Sequence, residues 1–388
     1  MKSDDKNKNR KEMIFEGEVI LINYTGRKGG GALDAYEMTK ALADKGCKVA
    51  AVISAYIENI DMWRKLDLVK LVEIPTYTNI LNFAVNTTLF GVRQKRFIEK
   101  QLENIDVKYI FAPMMSEWTE RINKIFPKAK KVLTIHDPIP HSGNSRVLLI
   151  RKLFSNTESF KKADALAVHT KKFIPYVEDK YGEKDRVYYI PLGRHNMYRN
   201  IDNKTSIIKY DPDKINFLFF GRISRYKGLD ILAQAYKKVH SINPDVTLSV
   251  VGNGDFGECG DMYKQLPDVT VINRWIQDCE VESVFTGENL VNICPYKDAT
   301  QSGVIMLAQD YAVPVIATNT GGIDEQIKDG ETGLLLDECN ADELAEKMLM
   351  IAKDRDLYNH LAEKTKAYIE DVTWEKSAET LLDIFDRI

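Results

Sequence analysis

The sequence predicts an α/β protein with two open units, each built on a parallel sheet, and three observations carry this prediction. Strand-like and helix-like segments alternate along almost all of the 388 residues, an order typical of βαβ units. One polar stretch with Asn and Asp clusters, residues 194–214, interrupts the alternation, which then starts again. A chain of this length also normally divides into two domains. We therefore expect two α/β domains joined by a linker at 194–214.

The elements of the first half follow from short apolar runs, which predict strands, and from longer mixed segments, which predict helices. The predicted strands are 18–23, 48–53, 69–74, 107–112, 131–135, 165–169 and 186–190. The predicted helices are 32–44, 82–103, 117–125, 146–162 and 171–180.

The second half repeats the pattern and closes with three helices in succession. Its predicted strands are 215–220, 247–251, 269–272, 290–294, 314–317 and 333–336, and its predicted helices are 229–240, 304–311, 341–352, 356–369 and 374–385. Ligands of such paired α/β units usually bind where the carboxyl edges of two sheets face each other across a cleft.

Composition excludes several classes of protein. The 44% hydrophobic and 29% charged fractions are those of an ordinary globular protein, and a net charge of −3 argues against a dedicated nucleic-acid binder. The five cysteines form no C-x-x-C pair and have no histidine at metal spacing, which favours a reducing compartment. The first twelve residues are polar and no apolar run approaches membrane-spanning length. We expect a cytoplasmic protein.

The turn after the strand at 290–294 is the most informative stretch. The polar residues 297–303 lead directly into a helix, with Ser302 as the expected N-cap. A helix N-terminus at the carboxyl edge of a sheet presents free N–H groups to an anion. Arg222 and Lys227 follow another apolar strand, 215–220. If both strands share one parallel sheet, the two cations and the helix N-terminus converge on a diphosphate without a divalent metal. The alternative is a solvated basic loop.

Two glycine turns also follow predicted strands. Residues 29–31 are three glycines before a helix, where the backbone can approach a ligand closely. Residues 252–257 match G-x-G-x-x-G, but the segment after them is a poor start for the long helix of a dinucleotide fold. We interpret Gly252 and Gly254 as a turn beside a nucleotide.

His136 ends the strand at 131–135 and enters a proline-containing loop of fixed shape. A histidine there points into the expected cleft, where imidazole can exchange a hydrogen bond with a sugar hydroxyl. A capping or core histidine is the alternative, and His141 and His169 are weaker candidates. The D-x-D patterns at 211–213 and 354–356 lie away from strand ends and are interpreted as turn and capping residues.

Two basic and apolar segments of the first half, 90–97 and 146–154, combine the residue types that bind a membrane surface. The favoured interpretation is a pair of helices packed on the sheet with charged outer faces. Peripheral contact at the inner face of the membrane remains the other prediction.

The second half closely resembles glycosyltransferases of family four, which are retaining enzymes of the GT-B fold that use nucleotide-sugar donors. The segments that carry the resemblance are FFGRISRYKGLDIL (219–232), VVGNGDFG (250–257), the whole of 295–336 and TWEKSAETLLDIF (373–385), with TIHDPIPHSG (134–143) in the first half. The resemblance implies two Rossmann-like domains facing across a cleft: residues 1–195 for the acceptor, 196–373 for the donor, and a final helix, 374–388, crossing back.

The resemblance also implies roles. Arg222 and Lys227 would hold the donor diphosphate with Ser302, Gly303 and Val304, and His136 would face the donor sugar. The remaining implied ligands are Gly30, Gly31, Gly252, Gly254, Thr300 and Gln301, and the segment Arg274, Trp275 and Ile276 beside the base.

One departure from the family concerns its two glutamates, seven residues apart, which contact the donor sugar and the ribose. Those positions fall on Thr300 and Ala308, and Asp298 is the nearest carboxylate to the first. We expect Asp298 to contact the sugar, while the ribose contact has no counterpart. A subgroup of the family with an E-A-T-Q-S-G-V-like sequence shares this pattern, which favours divergence within the family over loss of activity.

The prediction is a metal-independent retaining hexosyltransferase that transfers a sugar from a nucleoside diphosphate to a glycan or lipid-linked glycan, in polysaccharide or glycoconjugate biosynthesis. No cofactor and no metal are expected beyond the donor substrate. The alternatives are a nucleotide-sugar epimerase or phosphorylase on the same fold, and a non-catalytic nucleotide-sugar-binding subunit.

Overall fold

The computed structural model describes residues 18–78, 86, 93–139, 157–181, 184–194, 198–199 and 201–388. These residues form two compact units. The first contains the described parts of Met1–Pro138, Leu148–Gly193 and Thr373–Ile388, and the second contains those of Ile139–Val147 and Arg194–Val372.

The first unit has a seven-stranded sheet of order β3-β2-β1-β4-β5-β6-β7, in which every described strand pair is parallel. Its strands are β1 (Val19–Tyr24), β2 (Lys48–Ser54), β3 (Lys70–Ile74), β4 (Val107–Ala112), β5 (Lys130–Thr134), β6 (Ala165–Val168) and β7 (Val187–Tyr189). Its first helices are α1 (Gly30–Asp44), α2 (Ile60–Trp63), α3 (Arg93–Gln101), α4 (Thr119–Asn123), α5 (Thr157–Lys162) and α6 (Ile174–Tyr181).

The second unit has a six-stranded parallel sheet of order β10-β9-β8-β11-β12-β13. Its strands are β8 (Ile215–Phe220), β9 (Val246–Gly252), β10 (Val269–Asn273), β11 (Leu290–Cys294), β12 (Val315–Thr318) and β13 (Gly333–Leu336). Its helices are α7 (Leu229–Ile242), α8 (Gly260–Gln265), α9 (Asp278–Phe285), α10 (Gly303–Asp310), α11 (Ile323–Gln326), α12 (Ala341–Lys353) and α13 (Arg355–Glu370).

The central strands are apolar because both faces of each sheet are covered by helices. All six residues of β1 and all five of β11 are buried, as parallel sheets require. The edge strand β10 is largely exposed. In each unit the sheet therefore supplies a rigid layer whose carboxyl edge carries the connecting loops.

The last helix, α14 (Trp374–Phe385), belongs to the first unit. Its N-cap Thr373 accepts from the Lys376 amide, and the Ser377 hydroxyl donates to the Pro191 carbonyl at 2.7 Å. The Phe385 ring lies 4.6 Å from that of Tyr109. The chain therefore returns to the first unit after completing the second.

Most predicted element boundaries agree within two residues, and the differences have local causes. The predicted strand at 165–169 ends one residue early, and the predicted helix at 171–180 begins as a 3-10 turn, Lys171–Phe173. Residues 82–85, 87–92 and 146–156 of two predicted helices lie outside the described residues, as does His141. The sequence analysis missed α2, α8, α9 and α11; the capping box between Gln277 and Glu280 marks the start of α9.

The predicted linker at 194–214 is not a loose connection where it is described. The Thr205 and Ile207 amides donate to the Cys279 carbonyl and the Ser283 hydroxyl of α9, and the Tyr210 hydroxyl donates to the Val284 carbonyl. Its apolar residues pack on the core of the second unit, which the Asn and Asp clusters had concealed.

Candidate donor-phosphate site

The loops after β8 and β11 are joined through their backbones. The Lys297 amide donates to the Tyr226 carbonyl at 2.8 Å. Gly228 has φ +69°, and a Cβ there would overlap the Pro295 carbonyl oxygen. A glycine is therefore required for the two loops to meet.

This junction places Lys227 over Tyr296. The Lys227 Nζ lies 3.4 Å from the centroid of the Tyr296 ring and 5.3 Å from that of Tyr226. Tyr296 is buried, and its hydroxyl lies 3.5 Å from the Ser302 Oγ. The structure thus places Lys227 over the ring face, and Ser302 beside the hydroxyl, of one aromatic side chain.

The turn before α10 is fixed by Gln326, which the sequence analysis missed. Its Oε1 accepts from the Ser302 amide at 2.7 Å, and its Nε2 donates to the Ser302 carbonyl at 3.0 Å. Gln309 in turn donates to the Gln326 carbonyl. Ser302 occupies the N-cap position, but its side chain makes no capping hydrogen bond. The Ser302 amide is therefore occupied, and the amides of Gly303 and Val304 begin the helix.

The residues around Ser302 are mostly covered. Thr300 is 3% exposed, and Asp298 and Gln301 are half-buried. Gly321 has φ +58°, and a Cβ there would overlap the Ala299 carbonyl, so the loop after β12 covers this turn. Ala308, at the second family glutamate position, is buried in α10. The backbone of this turn is therefore held in one conformation by its neighbours.

Arg222 lines a cavity of about 620 Å³ in the second unit, together with Arg225, Lys297 and residues 253–259. Lys227 is not among the lining residues of that cavity. Lys297 is held by Asp230 at 2.6 Å. Among the described residues, no ion pair involves the Arg222 guanidinium, which is exposed after the carboxyl end of β8.

Gly252 and Gly254 allow close packing of the β8 and β9 loops. Both have φ above +150°, and a Cβ would overlap the carbonyl oxygens of Gly221 and Ile223, respectively. Gly254 also lines the cavity with Arg222. As the sequence analysis expected, the segment after this turn does not start a long helix; a 3-10 turn and the six-residue α8 follow.

The segment after β10 is held by an ion pair. Arg274 makes two contacts with Glu280, at 2.7 and 2.8 Å. Glu280 also accepts from the Gln277 amide and closes the capping box of α9. Ile276 is buried, whereas Trp275 is 47% exposed. The indole is therefore the exposed aromatic surface of this segment.

In the first unit, Gly29 precedes α1 with φ +83°, and its amide donates to the Glu58 carboxylate at 2.7 Å. A Cβ at Gly30 would meet nothing within 4 Å, whereas one at Gly31 would contact the end of Met114. Gly30 is thus the open position of this turn.

His136 and His169 lie together at the carboxyl edge of the first sheet, with ring centroids 4.7 Å apart. The His136 Nε2 donates to the Pro113 carbonyl, and the His169 Nδ1 donates to the Ile190 carbonyl, each at 2.8 Å. Burial lowers the pKa of His136, and burial beside His136 lowers the pKa of His169 to about 3. Both imidazoles are neutral at pH 7, so the His136 Nδ1 is an acceptor. The contact between the two rings could not be predicted from the sequence, because β5 and β6 become neighbours only in the sheet.

The two D-x-D patterns have the turn and capping roles expected of them. The Asp211 carboxylate accepts from the Asp213 amide at 3.0 Å, and Asp354 caps α13 by accepting from the Leu357 amide. Over the described part of the chain, no helix is long and apolar enough to cross a membrane.

Part of this chain is similar in sequence to a known protein family and to several known proteins. Residues 214–354 match the family described as Glycosyl transferases group 1. An uncharacterized glycosyltransferase of Methanocaldococcus jannaschii is 24% identical over 351 residues, covering 86% of this chain and 80% of the relative. A D-inositol 3-phosphate glycosyltransferase of Paenarthrobacter aurescens is 26% identical over 181 residues, which are 45% of this chain and 44% of that relative.

Solved structures agree over nearly the whole chain. Sucrose-phosphate synthase from Thermosynechococcus elongatus has a TM-score of 0.70 at 18% identity, covering 95% of this chain and 98% of its own. Anabaena HepE in complex with UDP-glucose has a TM-score of 0.70 at 14% identity, covering 96% and 100%. These likenesses are of fold. Residues 214–354 are thus similar to the glycosyl transferases group 1 family, and the fold of the chain is GT-B.

Proposed function

We propose that the protein is a metal-independent retaining hexosyltransferase that uses a nucleoside-diphosphate sugar. The observation that carries the proposal is the Lys227 ammonium fixed over Tyr296 beside the start of α10, inside the group 1 domain. A helix N-terminus and a neighbouring cation are the groups that bind phosphate oxygens.

The proposed chemistry follows from the charge that develops as the sugar departs. Arg222 and Lys227 stabilise the leaving diphosphate, and the Gly303 and Val304 amides bind its oxygens. Each charge-assisted hydrogen bond contributes about 1.5–3 kcal/mol. These groups supply the positive charge that a divalent metal provides in other transferases.

The other predicted ligands keep the roles proposed from the family resemblance. In the second unit, Trp275 and Ile276 border the base beside Arg274, which Glu280 holds in place. Asp298, Thr300 and Gln301 form the sugar side of the turn. In the first unit, Gly30 and Gly31 offer backbone amides to the substrate, and the His136 Nδ1 accepts from a sugar hydroxyl.

The names of similar proteins support a donor of this class. HepE was solved with UDP, with UDP and glucose, and with UDP-glucose. A further neighbour, WaaG, with a TM-score of 0.62, is named as a glycosyltransferase of lipopolysaccharide biosynthesis. We propose a glycan or lipid-linked glycan as acceptor, in polysaccharide or glycoconjugate synthesis.

Peripheral membrane contact remains part of the proposal for a lipid-linked acceptor. Phe97 of α3 is 43% exposed among basic residues. Sedimentation with anionic vesicles, compared between wild type and Phe97→Ser, would test this contact.

The proposed activity is tested first by thermal shift with UDP, GDP, ADP and dTDP, each with and without EDTA. Stabilisation by one of them that persists in EDTA is the expected result. Incubation with the corresponding nucleotide sugars and glycan acceptors should then yield a product that retains the anomeric configuration, detected by NMR.

The matched variants are Arg222→Ala, Lys227→Ala and the exposed control Lys264→Ala. We expect transfer to fall about 100-fold in the first two and to stay unchanged in the control, with all three folded. Wild-type turnover in either site variant overturns the proposal. Product formed without acceptor, or only with free phosphate, would identify an epimerase or phosphorylase instead; binding without turnover would identify a binding subunit.

A further inference from the structure

We infer that Tyr296 is a positioning residue for the phosphate site, where it holds the Lys227 ammonium beside the start of α10. Its ring face holds the Lys227 ammonium, and its hydroxyl contacts the side chain of Ser302 at the start of α10. One buried side chain therefore contacts both the cation and the N-cap residue of α10. This inference rests on the proposed function.

The contact with Lys227 is within the range of a cation–π interaction. The ammonium lies 3.4 Å from the Tyr296 centroid, well inside the roughly 6 Å limit of such contacts. Tyr296 is 1% exposed, so the ring is desolvated on its remaining surface. The second ring, Tyr226, is farther away at 5.3 Å. Tyr296 is therefore the principal partner among the two rings.

The backbone that carries the Tyr296 ring is held in place. The Tyr296 amide donates to the Cys294 carbonyl at 2.8 Å, and the loops on either side are joined by the Lys297 amide and by Gly228. A free lysine loses much rotamer freedom when it binds a ligand. A lysine already held over a fixed ring loses less, which strengthens binding through preorganisation.

The hydroxyl of Tyr296 is neutral, so it does not compete with a diphosphate for the ammonium. Burial, together with Cys294 nearby, raises the pKa of this phenol far above its usual value. The hydroxyl lies 3.5 Å from the Ser302 Oγ, a distance that allows only a weak hydrogen bond. The ring face is accordingly expected to matter more than the hydroxyl.

A tyrosine that only packs in the core would also be buried. The experiment therefore has to separate this packing role from the positioning of Lys227. Tyr296→Phe keeps the ring face and removes the hydroxyl, whereas Tyr296→Leu removes the face. Tyr236→Leu removes another buried tyrosine of the second unit, one whose hydroxyl donates to the Pro267 carbonyl. Affinities are measured for whichever of UDP, GDP, ADP or dTDP binds wild type most tightly, and for the matching nucleoside.

We expect Tyr296→Leu to weaken nucleoside diphosphate binding about tenfold and to leave nucleoside binding unchanged. The affinity of Tyr296→Phe and of Tyr236→Leu for the nucleoside diphosphate should stay within about twofold of wild type. The first variant keeps an aromatic ring at position 296, and the second leaves Tyr296 unchanged. In a Lys227→Ala background, Tyr296→Leu should cause no further loss, because the two residues act as one unit.

The inference alone is overturned if the diphosphate binds wild type while Tyr296→Leu binds it equally well. It is also overturned if Tyr296→Leu weakens diphosphate and nucleoside alike, or if its effect adds fully to that of Lys227→Ala. If none of the four nucleoside diphosphates binds wild type, the proposed function and this inference fail together.

Discussion

The starts of α1 and α10 occupy similar places, each after a buried strand of its sheet, but differ in charge. Each helix begins with a glycine, Gly30 or Gly303, and neither has an acidic residue in its first turn. At α1 the Gly29 amide donates to a carboxylate, that of Glu58. At α10 the Ser302 amide donates to the neutral side chain of Gln326, and the Lys227 ammonium shares Tyr296 with the Ser302 hydroxyl.

The difference illustrates why a helix N-terminus does not by itself predict a phosphate site. Both helices present the positive end of a dipole, worth about half an elementary charge. A neighbouring carboxylate offsets that field, whereas an ammonium reinforces it. We therefore expect the start of α10 to be the better anion site, although the glycine motif is more obvious at α1.

The largest expected effect is on stability, and it separates Gly228, at the junction of the loops after β8 and β11, from Gly30 at the start of α1. Gly228→Ala introduces a Cβ at φ +69° that overlaps the Pro295 carbonyl, so we expect a loss of about 3 kcal/mol in the free energy of unfolding. Gly30→Ala has open space and no positive φ, so its expected change is within about 1 kcal/mol. Urea unfolding monitored by circular dichroism measures both.

Equal stability of the two glycine variants would contradict this account of the loop junction. A stable Gly30→Ala protein that loses transfer would indicate close approach of a ligand to that turn.

A smaller effect concerns the buried carboxyl of Asp34 in α1. Burial, with a minor contribution from Glu37, raises its pKa to about 8. Because the unfolded chain releases this proton near pH 4, folding stability falls as the pH rises from about 4 to 8. Asp34→Asn should therefore stabilise the protein by about 1–3 kcal/mol at pH 8 and have little effect at pH 4.

Thermal unfolding between pH 4 and 8 tests this, with the exposed Asp44→Asn of the same helix as the control. A stabilisation by Asp34→Asn that does not depend on pH would be inconsistent with a raised pKa.

The smallest expected effect is on nucleoside diphosphate affinity, and it tests the charge difference between the starts of α1 and α10. Glu58→Gln keeps an acceptor for the Gly29 amide and removes the negative charge beside α1. If Gly30 and Gly31 approach the donor diphosphate, affinity for the nucleoside diphosphate should rise about twofold, as expected for a partly screened surface charge. Isothermal titration at low and high salt measures it; an unchanged affinity at low salt would remove those glycines from the diphosphate site.

Much of the fold could be predicted because its signals are local. Apolar runs such as 215–220 and 290–294 match β8 and β11 residue for residue, since strands buried on both faces of a parallel sheet are continuously apolar. The short helix α9 was missed because its signal is a capping box rather than a long amphipathic period. The segment at 205–210 was read as linker because its polar neighbours outweighed Ile207 and Tyr210.

The sequence by itself determined which residue types follow which strands: the cations after β8, the polar turn after β11 and the histidine after β5. The tertiary structure alone decided which of them meet. Lys227 lies over Tyr296, the Gln326 side chain hydrogen-bonds to the Ser302 amide, and His136 packs on His169. The two members of each pair lie on different segments of the chain. The physical reason is that strand order and loop closure set these distances, and neither is encoded in any one segment.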